Sequence, residues 1–232
     1  MNSMIPIPLP GGNSDAGVSA QRNRVLRNTY WLLALSMLPT VLGAWIGVST
    51  GIASTMSSGV GLVVFLAGAF GFMFAIEKTK NSSAGVPVLL AFTFFMGLML
   101  SRLLGQVLGL SNGANLVMLA FAGTGAIFLG MASLSSVIKR DLSSMGKFLF
   151  IGAIMLMVAG IANFFIQSSA LMIVLSVLAI GIFSAFILHD LKRVQDGLET
   201  NYISATLSVY LSIYNVFQSL LAVFGLTSGR DE

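Results

Sequence analysis

Cysteine is absent from this chain of 232 residues, histidine occurs once, and only 9% of the residues are charged. Without cysteine there is no disulfide scaffold, thiolate metal site or cysteine nucleophile. With His189 as the lone histidine, a multi-histidine metal centre is excluded as well. The shortage of charge excludes most. An average soluble domain carries about 25% charged residues, and twelve bases with eight acids cannot cover a domain of this size in water. Apolar residues make up 56% of the chain, and the mean hydropathy is +0.93. A soluble enzyme, a secreted domain and a disordered protein are therefore all excluded, and a multi-span membrane protein remains.

A helix crossing the hydrocarbon core needs roughly 20 largely uncharged residues. Seven such blocks can be marked off: Tyr30–Val48, Met56–Ile76, Val86–Leu108, Asn115–Ile138, Phe148–Gln167, Ala170–Leu188 and Tyr202–Leu226. Helices satisfy their own backbone polar groups, and blocks of this length exclude a β-barrel. The fold expected is an all-α integral membrane protein of seven transmembrane helices.

The bases are distributed asymmetrically. Arg22, Arg24 and Arg27 precede the first block, Lys78 and Lys80 follow the second, Lys139, Arg140 and Lys147 separate the fourth from the fifth, and Lys192 and Arg193 follow the sixth. These ten of the twelve bases share one face, whereas the opposite connections Ser49–Thr55, Gly109–Ala114 and Ser168–Ser169 are uncharged. The positive-inside rule then sets the N-terminus in the cytoplasm and the C-terminus outside. The net charge of +4 reflects this bias and not a nucleic-acid surface, because no basic patch with interleaved aromatics exists. No nucleic-acid partner is expected; the bilayer is the first partner.

Residues 1–28 contain Pro6, Pro8, Pro10, Gly11 and Gly12 and little apolar surface. They are expected to form a flexible cytoplasmic tail. They lack the pattern of a signal peptide, so the first span should be an uncleaved anchor. The membrane domain is expected over 29–227 and a short external tail over 228–232. Gly43, Gly47 and Gly51, and again Gly105, Gly109 and Gly113, recur every four residues. Such stripes let membrane helices approach closely.

The chemistry-bearing residues concentrate near the end. Ser204, Ser208, Ser212, Asn215 and Ser219 recur in the last span at steps of four, four, three and four, within an arc of about 80°. Gln218 flanks it. A polar stripe in a membrane helix faces the bundle interior or a wet cavity. It serves either interhelical hydrogen bonding or an ion path. Asp190, where the sixth span ends, is the carboxylate nearest this stripe. It is the candidate pH-sensing group and the candidate weak Ca²⁺ ligand, named together with Ser212 and Asn215 of the stripe, with Lys78, Lys192 or Arg193 as possible charge partners. A solvated helix-end charge is the plainer reading. His189 stands beside it, but a single interfacial histidine is assigned no role. Arg102, toward the outer end of the third span, is expected to snorkel to the interface. HExxH, GxSxG and phosphate-loop patterns are absent. Asp141, Asp196, Glu199 and Glu77 all fall in cytoplasmic connections, so no intramembrane carboxylate pair exists. Neither enzymatic activity nor a cofactor is expected.

Glu199-Thr200-Asn201-Tyr202-Ile203, then Ala205-Thr206-Leu207-Ser208-Val209-Tyr210-Leu211 and Ile213-Tyr214-Asn215, resemble the Bax inhibitor-1 (transmembrane Bax inhibitor motif) family. Val25-Leu26-Arg27-Asn28-Thr29-Tyr30 and Lys139-Arg140-Asp141-Leu142-Ser143 fit as well, and the first motifs are most similar to the bacterial YccA branch. The resemblance implies six helices around a central seventh and a bacterial inner-membrane location. Some members hold a pair of aspartates that act as a pH-sensitive latch for Ca²⁺ leak. Asp190 matches the first, but Ser212 occupies the second position, and a shared proton depends on two like charges. Ser101-Arg102 also replaces the family's usual Gly-Pro. Both departures weigh against a two-aspartate leak. The YccA branch is linked with the membrane-anchored AAA protease FtsH as substrate and modulator, so FtsH is the protein partner the resemblance implies, with Ca²⁺ or H⁺ as the alternative ligands.

Overall fold

The computed structural model describes residues 12–229. Eight helices, and no strand, lie among them: α1 Gly12–Thr50, α2 Ile52–Thr55, α3 Ser58–Thr79, α4 Gly85–Leu108, α5 Gly113–Val137, α6 Met145–Ile166, α7 Ser169–Gln195 and α8 Tyr202–Ser228. All but α2 are long and apolar enough to cross a membrane, which gives the seven spans expected from hydropathy. Each corresponds to one of the marked blocks. The one-turn α2 follows Gly51, whose φ of 67° ends α1 in the left-handed region.

The start of the first span differs most from the reading. A boundary at residue 28 is not observed: α1 is helical from Gly12, and residues 1–11 lie outside the described residues. After Gly12 the segment contains no proline and one glycine, Gly17, so nothing in it interrupts a helix. Val25 packs with Val194 of α7 and Ala205 of α8, and Thr29 is fully buried. These contacts extend the helix beyond the hydrocarbon block. Arg230, Asp231 and Glu232, most of the expected external tail, also lie outside the described residues. On the exposed face of α1, Trp31 and Trp45 stand 14 positions apart, about 21 Å along the axis, as amphipathic aromatics do at the two interfaces of a bilayer.

The most extensive helix pair joins α1 to α4. A Cβ on Gly43 would collide with the carbonyl of Phe94, one on Gly47 with the Ser101 side chain, and one on Gly97 with the carbonyl of Thr40. At Gly43 and Gly97 the two backbones therefore touch directly, and at Gly47 only the small Ser101 side chain intervenes, as in small-residue contacts of membrane helices. The second stripe behaves differently. Gly105 faces open space, and the neighbours of Gly109 and Gly113 are the turn linking α4 to α5. Spacing alone did not separate a helix contact from a tight connection.

The last span packs against α1, α3, α4, α5 and α7. α4 and α8 are the most buried spans and α6 the least; α6 packs chiefly on α7. Leu89, Phe92, Tyr210, Val209, Val216 and Leu221 form the centre of one continuous apolar core. The start of α8 is fixed by Asn201. Its Oδ1 accepts from the N–H groups of Ile203 at 2.9 Å and Ser204 at 3.1 Å, the usual work of an N-cap. Its Nδ2 donates to the Lys80 carbonyl at 3.1 Å and to Asn81 Oδ1 at 2.9 Å. One side chain thus caps α8 and ties it to the α3–α4 turn. Glu199 Oε1 accepts from the Asn201 N–H at 2.9 Å. In the α5–α6 connection, Asp141 accepts from the Ser143 hydroxyl at 2.6 Å and its N–H at 2.8 Å.

Three outcomes follow for stability in detergent. Gly97→Val should destabilise by about 1–3 kcal/mol through overpacking, whereas Gly105→Ala should be neutral or stabilise by about 0.4–1 kcal/mol, both measured by thermal unfolding. Asn201→Ala should cost about 1–2 kcal/mol, the upper part of the range for a lost cap because the tie to α3–α4 is lost with it; Asn201→Asp, which keeps the cap acceptor, should recover part. The Ser143 hydroxyl and then its N–H hold the Asp141 carboxyl below its ordinary value of 3.8. A lowered carboxylate contributes stability above its unfolded value and loses it as pH falls through the lower folded one. NMR titration should place the midpoint of the Asp141 carboxyl below 3.8.

Candidate functional site

α8 has two polar faces, and they do different work. Hydrogen bonding to other spans comes from Thr206, Tyr210 and Tyr214, roughly opposite the serine stripe around the helix. The Thr206 hydroxyl reaches the Thr29 carbonyl at 3.4 Å, besides its shorter bond to Tyr202 in its own helix. The Tyr210 hydroxyl lies 2.9 Å from the Thr40 hydroxyl and donates to the Thr93 carbonyl at 3.4 Å. Tyr214 donates to the Met96 carbonyl at 3.2 Å. α8 is thus fastened to α1 and α4 at the level where those helices touch. Phe92 packs edge-on against Tyr210, with ring centroids 6.1 Å apart.

The stripe does not bridge helices as the sequence suggested. Ser212 donates to the Ser208 carbonyl at 3.1 Å and Asn215 to the Leu211 carbonyl at 2.8 Å, both within α8. Ser204 sits in the first turn, where its N–H is capped by Asn201. Ser219 is buried in the half of α8 away from the basic face. Ser208 and Ser212 of the stripe line a cleft.

That cleft lies between α6, α7 and α8 at the basic face, with a volume of about 540 Å³. α7 brings His189, Asp190 and Arg193 to it, and Lys147 enters from the first turn of α6 beside Ser143 and Gly146. Phe150, Ala153, Phe183, Phe186 and Leu211 make its apolar walls. Asp190 of α7 and Ser212 of α8 line the same cleft. Asn215 is outside it.

The charge partners differ from those expected. Lys78 stands over the Phe74 ring, 4.6 Å from its centroid. Lys192 pairs with Asp196 at 2.6 Å, one helical turn on along its own surface. Arg193 shares the cleft, yet among the described residues it forms no ion pair. Asp190 is held by His189, with Nδ1 3.1 Å from Oδ1 and side chains only 8% and 11% exposed respectively. The far side of the imidazole lies against Gly146, where a Cβ would stand 2.7 Å from Nε2. Histidine, carboxylate and glycine are therefore one assembly. Sequence reasoning passed over His189, and the missing signal was Gly146, a small residue in an otherwise bulky helix start.

Arg102 donates to Ser58 Oγ at 2.8 Å, at the start of α3. Gln195 of α7 donates to Ser135 at 2.8 Å and Ser136 at 3.2 Å at the end of α5. Among the described residues, no buried side-chain nitrogen or oxygen lacks a partner.

Residues 22–229 match the family model described as "Inhibitor of apoptosis-promoting Bax1". The chain is 37% identical to an uncharacterised protein of Neisseria meningitidis, over 92% of this chain and 95% of the other. It is 37% identical to an uncharacterised membrane protein of Vibrio cholerae, over 91% and 93%. It is 36% identical to the Escherichia coli protein named Modulator of FtsH protease YccA, over 90% and 92%. The same Escherichia coli protein name appears in a second strain as an inner membrane protein. The motifs around Asn201 and Tyr210, the seven spans and these likenesses across the whole bundle agree: the chain belongs to the Bax inhibitor-1 family.

Proposed function

We propose that this inner-membrane protein regulates membrane-protein quality control by modulating the membrane-anchored AAA protease FtsH, as a substrate that also competes with other clients. The observation carrying this reading is the 36% identity, over 90% of the chain, to a protein named as a modulator of that protease. Two physical features support it. The part of α1 that precedes Val25 is exposed from Ser19 to Arg24 and carries Arg22 and Arg24, so it offers an approach for an unfoldase at the end that the charge bias assigns to the cytoplasm. The bundle behind it is held by backbone contact between α1 and α4 and by the tyrosines of α8. A chain engaged at its N-terminal segment but slow to extract would occupy the protease and spare other clients.

The runner-up is a pH-sensitive Ca²⁺ or cation leak gated near Asp190. It is motivated by the Asp190–His189 pair beside Ser208 and Ser212. Lys147 and Arg193 in the same cleft oppose cation entry, which favours the regulatory reading.

In proteoliposomes containing the protease, deletion of Asn2–Ala20 should abolish degradation of this protein, and the full chain should slow proteolysis of a second membrane client. Unchanged turnover of the truncated chain would reject the handle. Ca²⁺ flux that responds to pH and disappears in Asp190→Asn, with no effect on client proteolysis, would establish the leak instead.

A further inference from the structure

The cleft between α6, α7 and α8 carries a feature that neither protease modulation nor ion leak uses. Two cations, Lys147 and Arg193, face one space from two different helices. Neither makes an ion pair among the described residues, whereas Lys80 and Lys192 are matched to Glu77 and Asp196. Lys147 and Arg193 therefore remain free to meet an external anion. The one carboxylate in the same cleft offsets at most one of them, and Asp190 is mostly shielded and engaged by His189.

The walls decide what kind of anion fits. Phe150 and Ala153 on α6 and Phe183 on α7 continue from the charged rim along the helices. Phe150 is 64% exposed, on a helix whose large exposed side chains beyond Lys147 are apolar. Such a groove is open toward hydrocarbon at one end and basic at the other. Its volume of about 540 Å³ lies within the range of about 300–1,000 Å³ of ligand sites. A free phosphate would satisfy the rim and leave the apolar walls unused; an apolar chain alone would do the reverse. Basic pockets between spans at this face suit anionic headgroups.

We propose that this cleft is a binding site for an anionic glycerophospholipid, with its phosphate between Lys147 and Arg193 and the start of an acyl chain against Phe150, Ala153 and Phe183. Two cations against the single carboxylate of Asp190 leave an excess of positive charge. A headgroup of one negative charge neutralises it, and a zwitterionic headgroup does not. Ser208 and Ser212 add hydroxyls within the same space. Occupation of the cleft would also bridge α6, the least buried span, to α7 and α8.

The test uses the full chain in nanodiscs of equal phosphatidylglycerol and phosphatidylcholine, with retained lipid identified by native mass spectrometry after mild detergent release. One base near an anionic headgroup gives about a fivefold preference. The wild-type chain should therefore retain phosphatidylglycerol about twentyfold over phosphatidylcholine, and Lys147→Gln with Arg193→Gln should lose most of that enrichment. Lys147→Arg with Arg193→Lys should keep it. Lys139→Gln with Arg140→Gln, on the same face but outside the cleft, should also keep it. Equal retention of both lipids by the wild-type chain would overturn the site. So would enrichment that survives the cleft variant, falls equally in the loop variant, or is displaced by millimolar inorganic phosphate. A local reading that keeps both charges comes from Phe150→Trp in a Trp31→Phe, Trp45→Phe background. Its fluorescence should be quenched more by brominated phosphatidylglycerol than by brominated phosphatidylcholine, and equal quenching would count against the proposal.

Discussion

The rest of this bundle depends on a contact that contains almost no side chain. Where α1 crosses α4, Gly43 and Gly97 bring backbone against backbone, with only the small Ser101 side chain at Gly47. In a bilayer the hydrophobic effect does not drive one apolar helix toward another, so close packing and hydrogen bonding must do so. The α1–α4 contact supplies the packing. It also presents the carbonyls of Thr93 and Met96 and the hydroxyl of Thr40 to the space that α8 occupies, where Tyr210 and Tyr214 meet them. Hydrogen bonds of this kind contribute on average only about 0.6 kcal/mol each, but they fix the rotation of α8 about its own axis.

That rotation has a functional result. With the tyrosine face turned to α1 and α4, the serines at 208 and 212 are turned the other way, to the cleft shared with Asp190. Asn201 sets the axial position of the same helix by capping its first turn and holding the α3–α4 connection. Rotation and height together bring α8 into register with the end of α7, where His189 and Asp190 form their pair against Gly146. The family motif around Glu199–Asn201 thus has a mechanical explanation in this chain, independent of any role at the cleft.

Hydropathy read the spans well because the bilayer imposes a length and a polarity that composition records directly. The site was harder. The serine stripe was visible as a period, but a period does not name the helix it faces. The working face of α8 was hidden for a different reason: Tyr210 and Tyr214 count as bulky and apolar in a pattern, and their hydroxyls matter only once a carbonyl is opposite them. His189 could not be given a partner without knowing that Gly146 leaves room for its ring. Lys78 and Lys192 were close to Asp190 in the loop order, yet helix direction carries one to Phe74 and the other to Asp196. The extension of α1 through residues 12–28 was missed because composition does not reveal Val194 and Ala205 waiting beside Val25.

The position of α8 in the chain bears on how the bundle is made. It is the seventh of these spans to be synthesised, yet α1, α3, α4, α5 and α7 all lean on it. During translation the first six helices must therefore wait as an incomplete shell, with the Thr93 and Met96 carbonyls and the core faces around Leu89 and Phe92 lacking their eventual neighbour. Completion comes in one late step, when Tyr202–Ser228 enters and Asn201 closes onto the turn after Lys80. A chain that stalls or truncates before that step presents an open seam in the membrane, so the difference between a finished and an unfinished copy is concentrated in a single helix.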